Sequence, residues 1–181
     1  MIELLAKHGE HMIWVDETAT YMDMCRTRGR AAPGVRVKAT RRRKYRRHTM
    51  IVAMSLEGVV ASRMIVGGMK LSDWQAFCRE DLAPVVKKGT LIQLDNLDLH
   101  EDQLAYDAIY EAGGIFLFQP KYSPESNPIE EAFSQFKRHL RTVGAKTLDE
   151  LRKAVADGLA LITPSHMQAY WRHAQQSVLN W

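Results

Sequence analysis

Cysteines, long apolar runs and signal-peptide features are scarce or missing in this chain of 181 residues. The two cysteines, Cys25 and Cys78, are too few for a disulfide scaffold and suit a reducing compartment. No apolar run approaches the ~18 residues that a membrane-spanning helix needs. Residues 1–11 carry two acids, one lysine and two histidines, which excludes a signal peptide. We therefore expect a cytoplasmic protein with no membrane partner.

Acidic residues are also missing from the most basic stretch of the chain, RVKATRRRKYRRH at 36–48. This stretch holds eight Lys and Arg, while the formal net charge of the whole chain is +4, so the remainder sums to −4. Its basic residues, called the basic patch below, either form a solvated loop or bind phosphate backbones through counterion release, and we favour nucleic acid. They are Arg36, Lys38, Arg41, Arg42, Arg43, Lys44, Arg46 and Arg47.

Hydrophobic residues make up 46% of the chain and charged residues 25%, values typical of soluble globular proteins. The length is sufficient for a substantial hydrophobic core, and we predict a single domain over 1–181. Apolar, β-rich segments predict strands at 11–15, 49–56, 59–66, 90–96 and 115–120. Helical patterns are found at 72–86, 101–114, from 128 onward, at 148–162 and at 164–177. An antiparallel meander followed by alternating helices and strands predicts an α/β protein with a mixed sheet flanked by helices.

Two of the predicted helices have recognisable inward faces. Ser72 is the expected N-cap of the first, with Trp74 facing the core. In the second, Leu104 and Ile109 are expected on the buried face.

Three of the six prolines stiffen the segment FQPKYSPESNPIEEAF at 118–133. Pro120, Pro124 and Pro128 each fix φ and remove a backbone donor. Asn127 is a good N-cap, and Pro128 suits the first helical position. Glu130 is thereby placed in the first turn of a helix, where it either completes a capping box with Asn127 or serves as a functional carboxylate.

Two aspartates follow apolar strand segments, and a glutamate begins a later helix. Asp16 and Asp95 are predicted at the carboxyl ends of their strands, where sites form in open α/β sheets. If the strands are neighbours, the two carboxylates lie close together, and Glu130 could join them from the side. Such a cluster is repulsive without a cation, and Mg²⁺ favours carboxylates together with water and phosphate oxygens.

Three short motifs of the chain resemble those of the DDE transposases, most closely the bacterial insertion-sequence enzymes related to the mariner group. They are VDE at 15–17, LDN at 94–96 with His100 shortly after, and YSPESNPIEE at 122–131. Asp95 and Glu130 are separated by 34 residues, which matches that group. The resemblance covers about residues 11–145, taken as the core of one DDE catalytic domain, with C-terminal helices over 146–181.

The resemblance implies a ribonuclease H-like fold and a catalytic, metal-binding triad of Asp16, Asp95 and Glu130. The implied cofactor is a pair of Mg²⁺ or Mn²⁺ ions. The implied partner is DNA, at transposon ends and at the target, bound by a homodimer and placing the protein with the nucleoid. Asn96 and His100 match the second motif and could orient water or phosphate; His100 could equally be a helix-start residue without a special role.

Several charged neighbours of the triad need separate interpretations. Glu17 is expected to face away from Asp16, and Glu131 is displaced by ~100° around the helix from Glu130, so we do not expect either as a ligand. Asp98 is interpreted as a turn or cap residue. Lys137 and Arg141 follow on one helical face and are either DNA phosphate contacts or ordinary solvated charges.

Only fifteen residues precede Asp16, too few for the helix-turn-helix region of full-length relatives. We therefore expect the catalytic half of a protein made from two reading frames, with a separate helix-turn-helix partner, or a truncated copy. The leading hypothesis is an enzyme that hydrolyses phosphodiester bonds at transposon ends and transfers the 3′ hydroxyl end to target DNA. The alternatives are a related nuclease that only cuts and a non-catalytic remnant that only binds nucleic acid.

Overall fold

The structure is a computed structural model that describes residues 11–26, 29–36, 46–119 and 127–179, with the side chains of 177–179 excepted. The strands are β1 (Met12–Thr20), β2 (His48–Ser55), β3 (Gly58–Val66), β4 (Leu91–Leu94) and β5 (Ile115–Phe118). The helices are α1 (Leu71–Ala76, continued by a π-helical segment Phe77–Leu82 and a 3₁₀ turn Ala83–Val85), α2 (Gln103–Glu111), α3 (Pro128–Val143), α4 (Leu148–Ala160) and α5 (Pro164–Leu179). No helix in the described ranges is long and apolar enough to cross a membrane.

The strands that the structure describes form one five-stranded sheet in the order β3-β2-β1-β4-β5. β1, β2 and β3 pair antiparallel, whereas β4 and β5 run parallel to β1. The helical segments between β3 and β4 and between β4 and β5 provide the crossovers that parallel strands require. The predicted mixed sheet, a meander followed by parallel strands, is confirmed.

Alternating residues of β1 divide the core into two layers, one on each face of the sheet. Met12 and Trp14 are buried against α3, α4 and α5, in a cluster with the inward stripe of α3. Ile13 and Val15 are buried on the opposite face with residues of α1 and α2. Asp16 therefore belongs to the face covered by α3, and Glu17 to the face covered by α1 and α2.

The prediction that β1 ends at Asp16 is wrong, because the strand continues to Thr20. The continuation is held by β2, which pairs antiparallel with β1 from Trp14 through Thr20. A strand ends only when both neighbours stop pairing, and here only β4 stops. Asp16 thus lies in mid-strand, at the position where the parallel neighbour has ended.

The start of α1 and the buried face of α2 also differ from expectation. Lys70, not Ser72, is the N-cap of α1, and Asp73 Oδ2 accepts a hydrogen bond from Lys70 N at 2.9 Å. In α2 the predicted inward residue Leu104 is 64% exposed, while Ala105 and Ile109 are buried. The prediction is therefore correct for Ile109 and wrong for Leu104, whose place on the buried face is taken by Ala105.

Candidate active site

The register between β1 and β4 brings Asp16 and Asp95 side by side. The last paired residues are Trp14 and Gln93. Carrying this register two residues further sets Asp16 opposite Asp95, which directly follows the last residue of β4, Leu94. The expectation that the two strands are neighbours is confirmed.

Asn127 connects Asp16 to the start of α3. Its Nδ2 lies 3.5 Å from Asp16 Oδ2, and its Oδ1 accepts a hydrogen bond from Ile129 N at 3.2 Å. The other oxygen of Asp16, Oδ1, accepts from Glu17 N at 2.7 Å. One buried side chain therefore caps the helix and fixes its first turn beside β1.

Glu130 lies in that first turn, as predicted, and is exposed. The capping-box alternative is not realised, because among the described residues no hydrogen bond joins the Glu130 carboxylate to the Asn127 backbone. Instead, Glu130 N donates to the Asn127 carbonyl at 3.3 Å. The Glu130 carboxylate therefore does not take part in capping α3.

The pKa of Asp16 is raised by burial and, to a smaller extent, by the charges of its acidic neighbours. The pKa is raised from 3.8 to about 7, chiefly by burial, with smaller contributions from the charges of Glu17, Glu130 and Asp95, while the hydrogen bond from the Glu17 amide opposes the shift. Near neutral pH this carboxyl therefore holds a proton much of the time. A divalent cation would displace that proton and relieve the repulsion among the acids.

His100 is fully buried between two carboxylates. Its Nδ1 lies 2.9 Å from Asp95 Oδ1 and its Nε2 lies 2.9 Å from Glu17 Oε1. Burial alone would lower the pKa of His100, but the two carboxylates outweigh it and raise the pKa to about 9. The same contact with His100 is the main cause of the lowered pKa of Asp95. His100 therefore contacts two carboxylates, that of Glu17 in β1 and that of Asp95 after β4, and its role at the site stays a prediction.

The acids adjacent to the triad are engaged with histidines. Glu17 faces away from Asp16, as predicted, and binds His100. Glu131 is hydrogen-bonded to His173 of α5. Sequence reasoning missed both partners, since neither histidine lies near its glutamate in the chain.

The residues that follow β4 form a short turn. Asn96 donates from Nδ2 to the Gln119 carbonyl at 2.5 Å, which ties this turn to the end of β5. Asp98 begins a 3₁₀ turn over Asp98–His100, in agreement with its interpretation as a turn residue. These contacts hold the loop that carries Asp95.

The carboxylates of Asp16, Asp95 and Glu130 are of the type that binds a hard divalent cation, but in this structure they are too far apart to bind one together. Carboxylate oxygens are the ligands that Mg²⁺ prefers, and Asp16 is a largely buried carboxyl with the negative charges of Glu130 and Asp95 nearby. Within the described ranges, however, no three His, Cys, Asp or Glu side chains are close enough together to hold an ion. A shared ion therefore requires side-chain movement from these positions.

The predicted DNA contacts are described only in part. Arg36, Arg46 and Arg47 are exposed at the two edges of the basic patch. On α3, Lys137 Nζ lies 6.0 Å from the centroid of the Phe133 ring, and both Lys137 and Arg141 are half-buried. The remaining members of the patch lie outside the described residues: Lys38, Arg41, Arg42, Arg43 and Lys44.

Solved structures that match this chain include complexes and catalytic domains of the Mos1 mariner transposase. The paired-end complex with Mg matches at a TM-score of 0.72 and 14% identity, over 99% of this chain and 58% of that chain. The paired-end complex with Mn matches at 0.71 and 17%, over 97% and 55%. The isolated Mos1 catalytic domain matches at 0.64 and 13%, over 97% and 81%. The fold is therefore the ribonuclease H-like fold, and the chain spans a little over half the length of the Mos1 chains in those complexes.

No significantly similar sequence was found among curated proteins. The sequence profile of one family, described as DDE superfamily endonuclease, matches residues 11–152, which include all three candidate carboxylates. This match covers most of the chain. The chain belongs to the DDE superfamily endonuclease family.

Proposed function

We propose that this chain is the catalytic domain of a transposase that cuts DNA at transposon ends and joins the freed 3′ ends to target DNA. The observation that carries the proposal is the juxtaposition of Asp16 and Asp95 across β1 and β4, with Glu130 held in the first turn of α3 through Asn127. These are the positions to which the motif resemblance assigns the triad.

In this proposal Asp16, Asp95 and Glu130 hold two Mg²⁺ or Mn²⁺ ions. When bound, such a pair activates a water and stabilises the leaving oxygen in phosphoryl transfer. The chain contributes positioning: β1 and β4 fix two carboxylates, and the capped helix start fixes the third. Family membership and the Mg and Mn complexes of Mos1 support the choice of ions.

The polyanionic substrate is held by cations around this edge of the sheet. Arg46 and Arg47 directly precede β2, whose first residues pair with the end of β1 beyond Asp16. Such residues bind phosphates irrespective of sequence. The Mos1 structures contain transposon ends in paired-end complexes, which supports a homodimer acting on two ends; a separate helix-turn-helix partner would supply end recognition.

The test is Mg²⁺-dependent nicking of supercoiled plasmid by the purified chain, alone and with any helix-turn-helix protein encoded upstream. We expect nicking that is abolished by EDTA and reduced at least 100-fold in Asp16→Asn, Asp95→Asn and Glu130→Gln. Glu131→Gln is the matched control, since Glu131 neighbours Glu130 but pairs with His173. Equal nicking by the triad variants contradicts the triad.

The outcomes also separate the alternative functions. A nuclease that only cuts would nick but would not join a pre-cut 3′ end to a second DNA in a strand-transfer assay. A remnant that only binds DNA would retard the migration of DNA in a gel-shift assay but would show no Mg²⁺-dependent cleavage.

A further inference from the structure

Glu17 and His100 form a buried unit on the sheet face opposite Asp16. The His100 side chain is 0% exposed and that of Glu17 only 14% exposed. The residues are 83 positions apart in the chain and meet because β1 continues beyond β4. Two polar groups this deeply buried are costly unless they are paired, so their contact is a specific feature of the fold.

The orientation of the His100 ring is fixed from three sides. Nε2 lies 2.9 Å from Glu17 Oε1, and Nδ1 lies 2.9 Å from Asp95 Oδ1 and 3.3 Å from the Asp95 carbonyl oxygen. The ring centroid is 4.5 Å from that of the buried Trp74. With both nitrogens engaged and one face covered, the ring has one orientation available.

The contacts on Asp95 converge on one of its two oxygens. His100 Nδ1 and the Leu97 amide, at 3.2 Å, both contact Oδ1. Among the described residues no hydrogen bond reaches Oδ2. The Asp95 carboxylate is thus held through Oδ1, which leaves Oδ2 available to bind a cation. About half of the Asp95 side chain is solvent-exposed, so a cation can reach Oδ2 from solvent.

We propose that His100 and Glu17 are positioning residues: Glu17 orients the His100 ring, and the ring anchors Asp95 Oδ1 so that Oδ2 is presented to a metal ion shared with Asp16. The inference rests on the proposed function. It assigns a task to Glu17, which adjoins a proposed ligand in sequence but lies on the other face of the strand. Partners that orient a metal ligand typically contribute 10–100-fold to metal affinity.

The test measures Mn²⁺ binding by the EPR signal of the free ion, together with thermal unfolding in EDTA. We expect His100→Ala and Glu17→Ala to weaken Mn²⁺ binding by about 10–100-fold. Glu17→Gln keeps an oxygen that can accept from Nε2 and is expected to bind Mn²⁺ more tightly than Glu17→Ala. His100→Ala would leave a cavity beside Trp74 and could fail to fold. Glu17→Ala removes the contact with His100 without creating that cavity, so it tests the proposal even if His100→Ala does not fold.

Two controls separate positioning from general destabilisation. Glu131→Gln alters another glutamate that pairs with a histidine, and His48→Ala removes another buried histidine. Both are expected to bind Mn²⁺ as the wild type does, even where His48→Ala lowers the unfolding temperature. Wild-type affinity in His100→Ala and Glu17→Ala overturns the positioning proposal, provided that Asp95→Asn loses binding. Absence of Mn²⁺ binding by the wild type instead overturns the proposed function.

Discussion

Asn127 Nδ2 lies 3.5 Å from Asp16 Oδ2, across 111 positions of sequence. The same side chain caps α3 through Ile129 N. Asn127 therefore has two structural roles. It caps the start of α3, and its contact with Asp16 places the first turn of α3, which carries Glu130, beside β1. Pro128 occupies the first position of α3, as predicted, whereas Pro120 and Pro124 lie outside the described residues.

Replacing Asn127 by alanine should reduce both stability and activity. Loss of an N-cap costs about 1 kcal/mol in the free energy of unfolding, within a range of roughly 0.5–2. Because the contact with Asp16 is lost as well, Mg²⁺-dependent nicking should fall more than this loss of stability explains. Urea unfolding and plasmid nicking measure the two effects.

Thr147→Ala is the control for this variant. Thr147 caps α4 by accepting a hydrogen bond from Glu150 N, and it has no contact with Asp16. A similar loss of stability with wild-type nicking is expected. If Asn127→Ala and Thr147→Ala behave alike in nicking, the Asn127 contact has no role at the site.

The raised pKa of Asp16 predicts how stability depends on pH when no metal is bound. The folded protein holds a proton on this carboxyl up to about pH 7, whereas the unfolded chain releases it near 3.8. The contribution of Asp16 to the free energy of unfolding therefore decreases as pH rises through this window. In EDTA at pH 8, Asp16→Asn should be more stable than the wild type by about 1–3 kcal/mol, discounted for partial solvation.

Urea unfolding of Asp16→Asn and wild type at several pH values checks this sign. The difference should shrink as pH falls toward 3.8 and be smallest below that value, where the wild-type carboxyl is protonated in both states. Added Mg²⁺ should stabilise the wild type at pH 8 and leave Asp16→Asn unchanged. A wild type that is the more stable protein at pH 8 in EDTA would contradict the raised pKa of Asp16 and thus the burial of its carboxyl among acidic neighbours.

Neutralising three arginines of the basic patch should change how salt affects DNA binding. Arg41, Arg42 and Arg43 replaced together by glutamine should weaken binding to all sequences and flatten the logarithmic salt slope by roughly three units. Fluorescence anisotropy with labelled DNA over a range of salt concentrations measures the slope. The matched control replaces Arg79, Lys87 and Lys88 by glutamine; all three lie in the segment between β3 and β4. An equal slope for both triple variants would mean that the patch does not touch phosphate.

Local patterns in the sequence were sufficient for much of the site. The Asn127-Pro128 start of α3 and the end of β4 at Asp95 were predicted from caps, prolines and apolar runs, and both are confirmed. Such features are encoded within a few residues of each other. The triad assignment itself came from the motif resemblance and stays a proposal.

The features that escaped prediction depend on distant parts of the chain. β1 extends beyond Asp16 because β2 pairs with its polar second half, Glu17 through Thr20, which has no apolar run to signal a strand. The partnership of Glu17 with His100 exists only because that extension meets the turn after β4. Neither the extension of β1 nor the contact between Glu17 and His100 can be predicted from neighbouring residues in the sequence. The sequence shows only that a glutamate follows Asp16 and that a histidine follows Asp95 after four residues.

The proposed function requires that Asp16, Asp95 and Glu130 bind the same divalent ions. Its most direct test is a crystal structure of the protein soaked with Mn²⁺, with data collected at the manganese absorption edge. We expect an anomalous peak at about 2.0–2.3 Å from an oxygen of Asp16 and an oxygen of Asp95, with Glu130 binding that ion or a second one within about 4 Å. A peak on other residues, or an ion bound to Asp16 and Asp95 with Glu130 turned away, would contradict it.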